Sequence, residues 1–275
     1  MESLTKGLLQ KMGNVLESTV AYQLRLGNDE LPLNGYLGQT IRLEFQGVIN
    51  CLECGRSTKK SFNQGFCYPC FQKLASCDAC IMSPEKCHYD QGTCRDPAWG
   101  ERNCMQTHIV YLANSSNIKV GITRHNQLPT RWIDQGAIQA LPVLRVQTRQ
   151  QSGLVEVVFK QQVSDRTSWQ AMLKNNTVPM DLAAKRDELF ANLADELQVL
   201  ENRFGLQALQ RLPDARAEEI NYPVLNYPTK VKSLNFDKEP VVEGQLQGIK
   251  GQYLIFDTGV INIRKFTSYE VEFFA

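Results

Sequence analysis

Apolar and polar residues alternate near both ends of this chain. In the stretch STVAYQLRL, Val20, Tyr22, Leu24 and Leu26 occupy every second position; in IRLEFQGVI, Ile41, Leu43 and Phe45 do the same. A period of two predicts half-buried antiparallel strands. Asn34-Gly35 between them predicts a turn. Near the far end Tyr269, Val271 and Phe273 alternate again, and glycines punctuate GQLQGIKGQYLIFDTGVINIR as bulges or barrel corners do. The tetrapeptide GVIN occurs at 47–50 and at 259–262. One match of that length is close to chance, so a shared sheet and two separate β units fit the pattern equally well.

The period changes between the ends. Leu182, Leu189, Phe190, Leu193, Leu197, Leu200 and Phe204 recur near every 3.6 residues, and Asp181 is placed to cap them. This predicts one long amphipathic helix over 181–205. Pro213, Pro223 and Pro228 mark a connection after it. Residues 51–104 contain few large aliphatic side chains. The expected organisation is an α+β chain: an N-terminal β segment (1–50), a cysteine-rich zinc-binding region (51–104), an α/β core (105–180), a helical region and linker (181–220), and a C-terminal β segment (221–275).

A length of 275 residues allows one large domain or two to three small ones. No run of about 18 apolar residues is present, and MESLTKGLLQKMGN has neither an apolar signal core nor a cleavage pattern. A cytoplasmic location is therefore expected, with no membrane partner. All nine cysteines lie between Cys51 and Cys104. In a reducing compartment that clustering predicts metal ligation rather than disulfides. Net charge is +1, unevenly spread. Residues 105–180 carry eight Lys/Arg against three Asp/Glu, and residues 181–220 carry five against nine. A mildly basic middle beside an acidic helix fits a site that faces a polyanion.

Cys51 and Cys54 form one C-x2-C pair, followed by Gly55, and Cys67 and Cys70 form another. Each pair curls its backbone around one ion and offers two thiolates; two pairs complete a tetrahedral zinc site. Between them KKSFNQGF reads as a hairpin, and FQKLA after Cys70 starts a helix. Knuckle, hairpin, helix is the order of a treble-clef finger. A third pair, Cys77 and Cys80, opens a second candidate set. Two of Cys87, Cys94 and Cys104 complete it; Cys87 and Cys94 are the leading pair, with Cys104, His88 or His108 as alternatives. Closed four-sulfur sites are structural, because a catalytic zinc keeps a position open for water.

Directly after the cysteines comes HIVYLANSSNIKVGITR, from His108 to Arg124, which reads as two short strands about a polar turn. A helix carrying Arg131 follows, and Glu156 sits in the apolar run GLVEVVFKQQV. The order of Tyr111, Lys119, Gly121, Arg131 and Glu156 resembles the GIY-YIG nuclease superfamily over roughly residues 108–170. Ile109 stands where that motif has its first glycine, Lys119 where it has its second tyrosine, and no residue matches the asparagine of many members. The resemblance implies that Tyr111 activates water, that Arg131 stabilises the phosphate, with Lys119 as a further phosphate contact, and that Glu156 holds Mg2+ or Mn2+. The chemistry is consistent: arginine offers a fork of donors to phosphate oxygens, and a carboxylate suits a hard cation. Plainer readings exist for each residue. Tyr111 and Trp132 also fit a strand and helix core, Arg131 can pair with Asp134, and His108 can serve as a zinc ligand, a site residue or a cap.

The phrases CDACIMSPEKCHYDQGTCRDPAWG, HIVYLANSSNIKVGITR, PTRWIDQGA and GIKGQYLIFDTGVINIR resemble a bacterial family, domain of unknown function 2797. The leading functional expectation is a zinc-binding protein that acts on nucleic acid, by Mg2+-dependent phosphodiester hydrolysis. The alternative is a non-catalytic, zinc-stapled adaptor for nucleic acid or protein. A small-molecule zinc enzyme ranks last.

Overall fold

The two ends of the chain share one sheet. In the computed structural model, which describes residues 1–205 and 207–275, the N-terminal stretch forms β1 (Ser3–Leu8), β2 (Gly13–Val15), β3 (Ala21–Leu26), β4 (Asp29–Pro32) and β5 (Thr40–Ile49). The cysteine-rich segment folds into short helices, α1 (Tyr68–Lys73), α2 (Ala79–Met82) and α3 (Pro97–Asn103), joined by single 3-10 turns. The middle contains β6 (His108–Asn114), β7 (Ile118–Arg124), α4 (Thr130–Asp134), β8 (Gln139–Val146), α5 (Arg149–Phe159), α6 (Trp169–Leu173), α7 (Leu182–Asn192), α8 (Ala194–Phe204), β9 (Leu209–Arg211) and β10 (Glu218–Glu219). β11 (Val241–Lys250), β12 (Tyr253–Phe256), β13 (Gly259–Asn262) and β14 (Tyr269–Phe274) close the chain.

The terminal sheet runs β1-β14-β5-β11-β12-β13, antiparallel throughout. Its register sets Phe273 against Leu43 and Val271 against Phe45. The alternation of the sequence becomes one inward face, where Ile41, Leu43, Val271 and Phe273 are all fully buried. The two GVIN copies do not pair: the first ends β5 beside β14, and the second forms β13 beside β12. A smaller sheet, β2-β3-β4, packs its alternate residues into the same core. At the turn, Asn34 accepts from the Tyr22 N–H and donates to the Val20 carbonyl, each at 2.9 Å.

The central sheet runs β10-β8-β6-β7, with β9 on β8. Every residue of β6 is buried, because both faces are covered. Ile109, Tyr111 and Ala113 face the core shared with the terminal sheet, while Val110 and Leu112 face a second core under α5, α7 and α8. A salt-bridged hub joins the two parts. Asp134, at the end of α4, receives Lys11, the Asn14 amide and the Gln252 amide. The plainer reading of Arg131, a pair with Asp134, is not formed: that carboxylate is met by residues from both chain ends instead.

The single helix expected over 181–205 is two helices, α7 and α8, broken at Leu193. Leu182, Leu189, Leu193, Leu197 and Leu200 nevertheless share one core, so the apolar stripe runs on across the break. Asp181 caps α7 as expected, accepting from the Ala183 and Ala184 N–H groups. Among the described residues no helix is long and apolar enough to cross a membrane.

Candidate functional site

Two sites emerge, a thiol cluster and a cleft beside it. The cluster begins where β5 ends. The chain turns tightly at Cys51–Gly55, with the Gly55 N–H donating to the Cys51 carbonyl and the Cys51 N–H to the Arg56 carbonyl, both at 2.9 Å. Phe62 and Phe66 pair across a small hairpin, and Cys67 is the N-cap of α1, which carries Cys70. The four ligand atoms of Cys51, Cys54, Cys67 and Cys70 all lie within 4.8 Å of one another, and the Cys54 and Cys67 sulfurs are 3.7 Å apart. Four sulfurs about 2.3 Å from one tetrahedral ion stand about 3.8 Å from each other, so the set matches zinc. Burial pushes the Cys51 thiol up, but the backbone N–H groups of Cys54, Cys67 and Glu53 outweigh it and bring it down to about 6. A thiol held as thiolate at neutral pH is the form a metal needs. Burial and hydrogen bonds with the other three sulfurs push Cys70 the other way.

The remaining cysteines divide. Cys80, Cys87, Cys94 and Cys104 line one small enclosed cavity. Cys77, expected among the second set of ligands, does not join them; its sulfur accepts from the Asn63 amide at 3.2 Å and lies beside Ser76. Burial, then Asp78, Cys87, Cys104 and Cys94, push the Cys80 thiol up to about 11. His88 does not face this cavity. It lies beside Asp78, and its Nδ1 is 2.8 Å from Thr93 Oγ1. His108 is fully buried at the start of β6; its Nδ1–H donates to the Gln106 carbonyl at 2.7 Å, and burial brings the ring down to about 4, hence neutral at pH 7.

The cleft, about 220 Å³, opens between the cysteine-rich segment and the central sheet. Ile81, Met82 and Pro84 form one wall; Gly121 of β7, Arg131 of α4, and Arg149 and Glu156 of α5 form the others, with Asp165 at the edge. Gly121 is required here. A Cβ on it would come within 2.6 Å of the Tyr111 ring and hydroxyl, which lie across the hairpin directly beneath it. α5 is aimed by a capping box, in which Thr148 accepts from the Gln151 N–H and the Gln151 side chain accepts from the Thr148 N–H.

Of the five residues expected at this site, Gly121, Arg131 and Glu156 face the cleft. Tyr111 is fully buried behind it, donates its hydroxyl to Gln135 Oε1 at 2.9 Å, and packs edge-on to the buried Trp132 at 6.0 Å. Burial pushes the Tyr111 phenol up, opposed by the nearby Arg131. Lys119 is also buried, donates to Thr167 Oγ1 at 2.6 Å, and is brought down to about 8 by burial and by Arg131. Burial raises the Glu156 carboxyl; Lys160 and Arg149 oppose this and Asp165 adds to it. Gln135, Arg149 and Asp165 were not anticipated. The dipeptide Asp165-Arg166 just after the Glu156 helix was the available signal for Asp165; Gln135 and Arg149 carry no local pattern.

No curated protein and no solved structure matches this chain. A family model described as protein of unknown function (DUF2797) matches residues 38–271, a span that holds both cysteine sets and the whole cleft, and the chain belongs to that family.

Proposed function

We propose that the chain is a zinc-stapled protein whose α/β core, around residues 105–180, acts on nucleic acid in the manner of a GIY-YIG-type nuclease. The single observation that supports this is the convergence of Arg131, Glu156, Arg149 and Asp165 on one cleft floored by Gly121. The Arg131 guanidinium suits a phosphodiester, which it can meet with a planar fork of donors, and Arg149, one N–H of which is held by the Ile81 carbonyl, adds a second positive charge. Glu156 offers hard oxygen suited to Mg2+ or Mn2+, with Asp165, ion-paired to Lys160 at 2.8 Å, as the further carboxylate of the cleft. When bound, such a cation supplies positive charge against the leaving oxygen. In the reaction, water adds to phosphorus, one P–O bond forms, the opposite P–O bond breaks, and the departing oxygen takes a proton.

Tyr111 is assigned a positioning role instead of the general-base role that the resemblance implies. Its hydroxyl is buried, raised and committed to Gln135. Lys119 likewise supports the cleft from behind through Thr167. The first cysteine set, with its knuckle, hairpin and helix, is read as a treble-clef finger holding structural zinc, and the second set extends this to a second zinc ion.

Incubation with a panel of DNA and RNA substrates and Mg2+ or Mn2+ tests the enzymatic reading. Cleavage that disappears in Arg131→Ala and Glu156→Ala is expected; no cleavage, or cleavage indifferent to both changes, rejects it. Tyr111→Phe is expected to lower kcat without moving the pH profile, since a base would take its titration with it.

One observation favours a second reading, a non-catalytic adaptor. A hollow of about 780 Å³ between the finger and the terminal sheet is lined by Lys59, Lys60 and Lys265. Phe62, Tyr68 and Phe71 form an aromatic cluster on the same finger. Lysines beside stacked rings suit a single nucleic-acid strand, and such binding weakens steeply with salt.

A further inference from the structure

Residues 51–104 hold together without an ordinary core. Among the described residues, no large aliphatic or aromatic side chain of this segment is fully buried; its buried apolar side chains are Cys51, Cys67, Ala75, Cys77, Pro84 and Cys104. Its helices are four to seven residues long, too short to be stable alone. The first cysteine set accounts for the half up to Cys70. Residues 75–104 need a second centre of cohesion.

The cavity ringed by Cys80, Cys87, Cys94 and Cys104 is about 20 Å³. That is room for one body the size of a water molecule, and the rest of its wall is largely apolar, including Ile81 and Trp99, with Asp78 as its carboxylate. Water is poorly served there, whereas a thiophilic cation is well served. The four cysteines arrive from four directions: Cys80 from α2, Cys87 after the 3-10 turn Pro84–Lys86, Cys94 from the following loop, and Cys104 from the C-cap of α3. The neighbouring trio Asp78, Cys80 and His88 also lies within 4.8 Å. Its polar groups are already used: Asp78 accepts from the Ala79 N–H at 2.6 Å and pairs with Arg95 at 2.9 Å, and His88 meets Thr93.

We propose that Cys80, Cys87, Cys94 and Cys104, and not Cys77, hold one zinc-type ion, and that this ion braces the wall of the cleft. The inference rests on the second-zinc reading above and names its ligands. No three sulfurs of this set lie within 4.8 Å of one another, whereas all four of the first set do. Ligation draws them inward, which the short turns between them permit.

The bracing follows from contacts flanking the ligands. The Arg149 N–H donates to the Cys104 carbonyl at 2.8 Å, its guanidinium to the Ile81 carbonyl at 2.7 Å, and the Gln150 amide to the Cys87 carbonyl at 3.0 Å. Gly153 lets the helix approach closely, since a Cβ there would fall 2.6 Å from Pro84 and Glu85. All three donors and Gly153 belong to α5, the helix whose Arg149 and Glu156 face the cleft. An ion on these four thiols therefore fixes both the Ile81–Pro84 wall and the register of α5.

The test is metal content by elemental analysis on the full chain purified from zinc-supplemented medium. Wild type is expected to hold two zinc ions per chain, Cys104→Ser and Cys80→Ser one, and Cys77→Ser two. Mercurial titration of the wild type, which needs no variant to fold, is expected to consume all nine thiols, eight of them in step with release of the two ions and Cys77 without metal release. Hydrogen exchange is expected to speed up in residues 79–104 and in α5 of Cys104→Ser, with the terminal sheet unchanged. A wild type holding one ion overturns the proposal. So does loss of the second ion in Cys77→Ser with retention in Cys104→Ser, and so does loss in His88→Ala, which assigns the ion to the Asp78 trio. Loss of cleavage activity bears on the nuclease reading alone, because none of these readouts depends on it.

Discussion

The terminal sheet and the cysteine-rich segment are neighbours built on opposite principles. The sheet draws strands from both chain ends and buries Leu43, Ile41, Val271 and Phe273 completely. The segment between β5 and β6 buries thiols in place of aliphatic chains. One is held by area removed from water, a diffuse force spread over many residues. On the zinc-stapled reading proposed above, the other depends on a few point contacts to an ion. The first should tolerate chelators and suffer from core truncation; the second should do the reverse.

The largest expected effect is therefore metal removal. In zinc-finger peptides, binding of structural zinc contributes on the order of 10 kcal/mol at neutral pH. A strong chelator is expected to abolish hydrogen-exchange protection across residues 51–104 while β5, β11 and β14 stay protected. Equal loss in both regions would break the comparison.

The converse change is Phe273→Ala. Its ring is fully buried and packs edge-on to Tyr36 at 5.4 Å. Removal is expected to lower unfolding stability by about 3–5 kcal/mol, read by denaturant titration, with zinc content unaltered.

His108 sits at the seam, the first residue of β6 after the cysteines. Its folded value of about 4 lies below the ordinary 6.5, so the unfolded chain takes up the proton first as pH falls. Stability is complete above about pH 6.5 and is lost as pH drops toward 4, by on the order of 3 kcal/mol from this group. His108→Gln should flatten that part of the stability–pH curve; an unchanged slope would remove the seam from the comparison.

The smallest of these effects is Gly121→Ala. Overpacking against Tyr111 is expected to cost about 1–3 kcal/mol. It should also disturb the Tyr111–Gln135 hydrogen bond, visible as a changed tyrosine fluorescence or NMR signal, without changing metal content.

Much of the fold was legible in the sequence wherever the deciding interaction is local. Alternation at Val20–Leu26 and at Tyr269–Phe273 becomes β3 and β14 because side-chain direction in a strand depends only on position parity. Cys51 and Cys54, and Cys67 and Cys70, meet because a two-residue gap brings both sulfurs of a pair to one side of a tight turn. Asp181 caps α7 through N–H groups two and three residues away. Gly121 opposite Tyr111 was within reach of the pattern as well, because a short turn sets the register of the hairpin.

Other features were decided only when distant segments packed. GVIN at both ends could not say that the ends share a sheet; β5 and β14 had to pair across more than two hundred residues. Periodicity over 181–205 could not locate the break at Leu193, since the same leucine stripe fits one helix or two in succession. Cys77 belongs to a C-x2-C pair yet turns toward Asn63, and Cys104 faces the shared cavity although no spacing marks it. Asp134 is met by Lys11, Asn14 and Gln252 from distant segments, and Arg131 faces the cleft. The sequence by itself determined the strands, the first thiol set and the hairpin, through forces acting within a few residues. The tertiary structure decided which side chains share the cleft and the second cavity, because those neighbours are selected by burial across the whole chain.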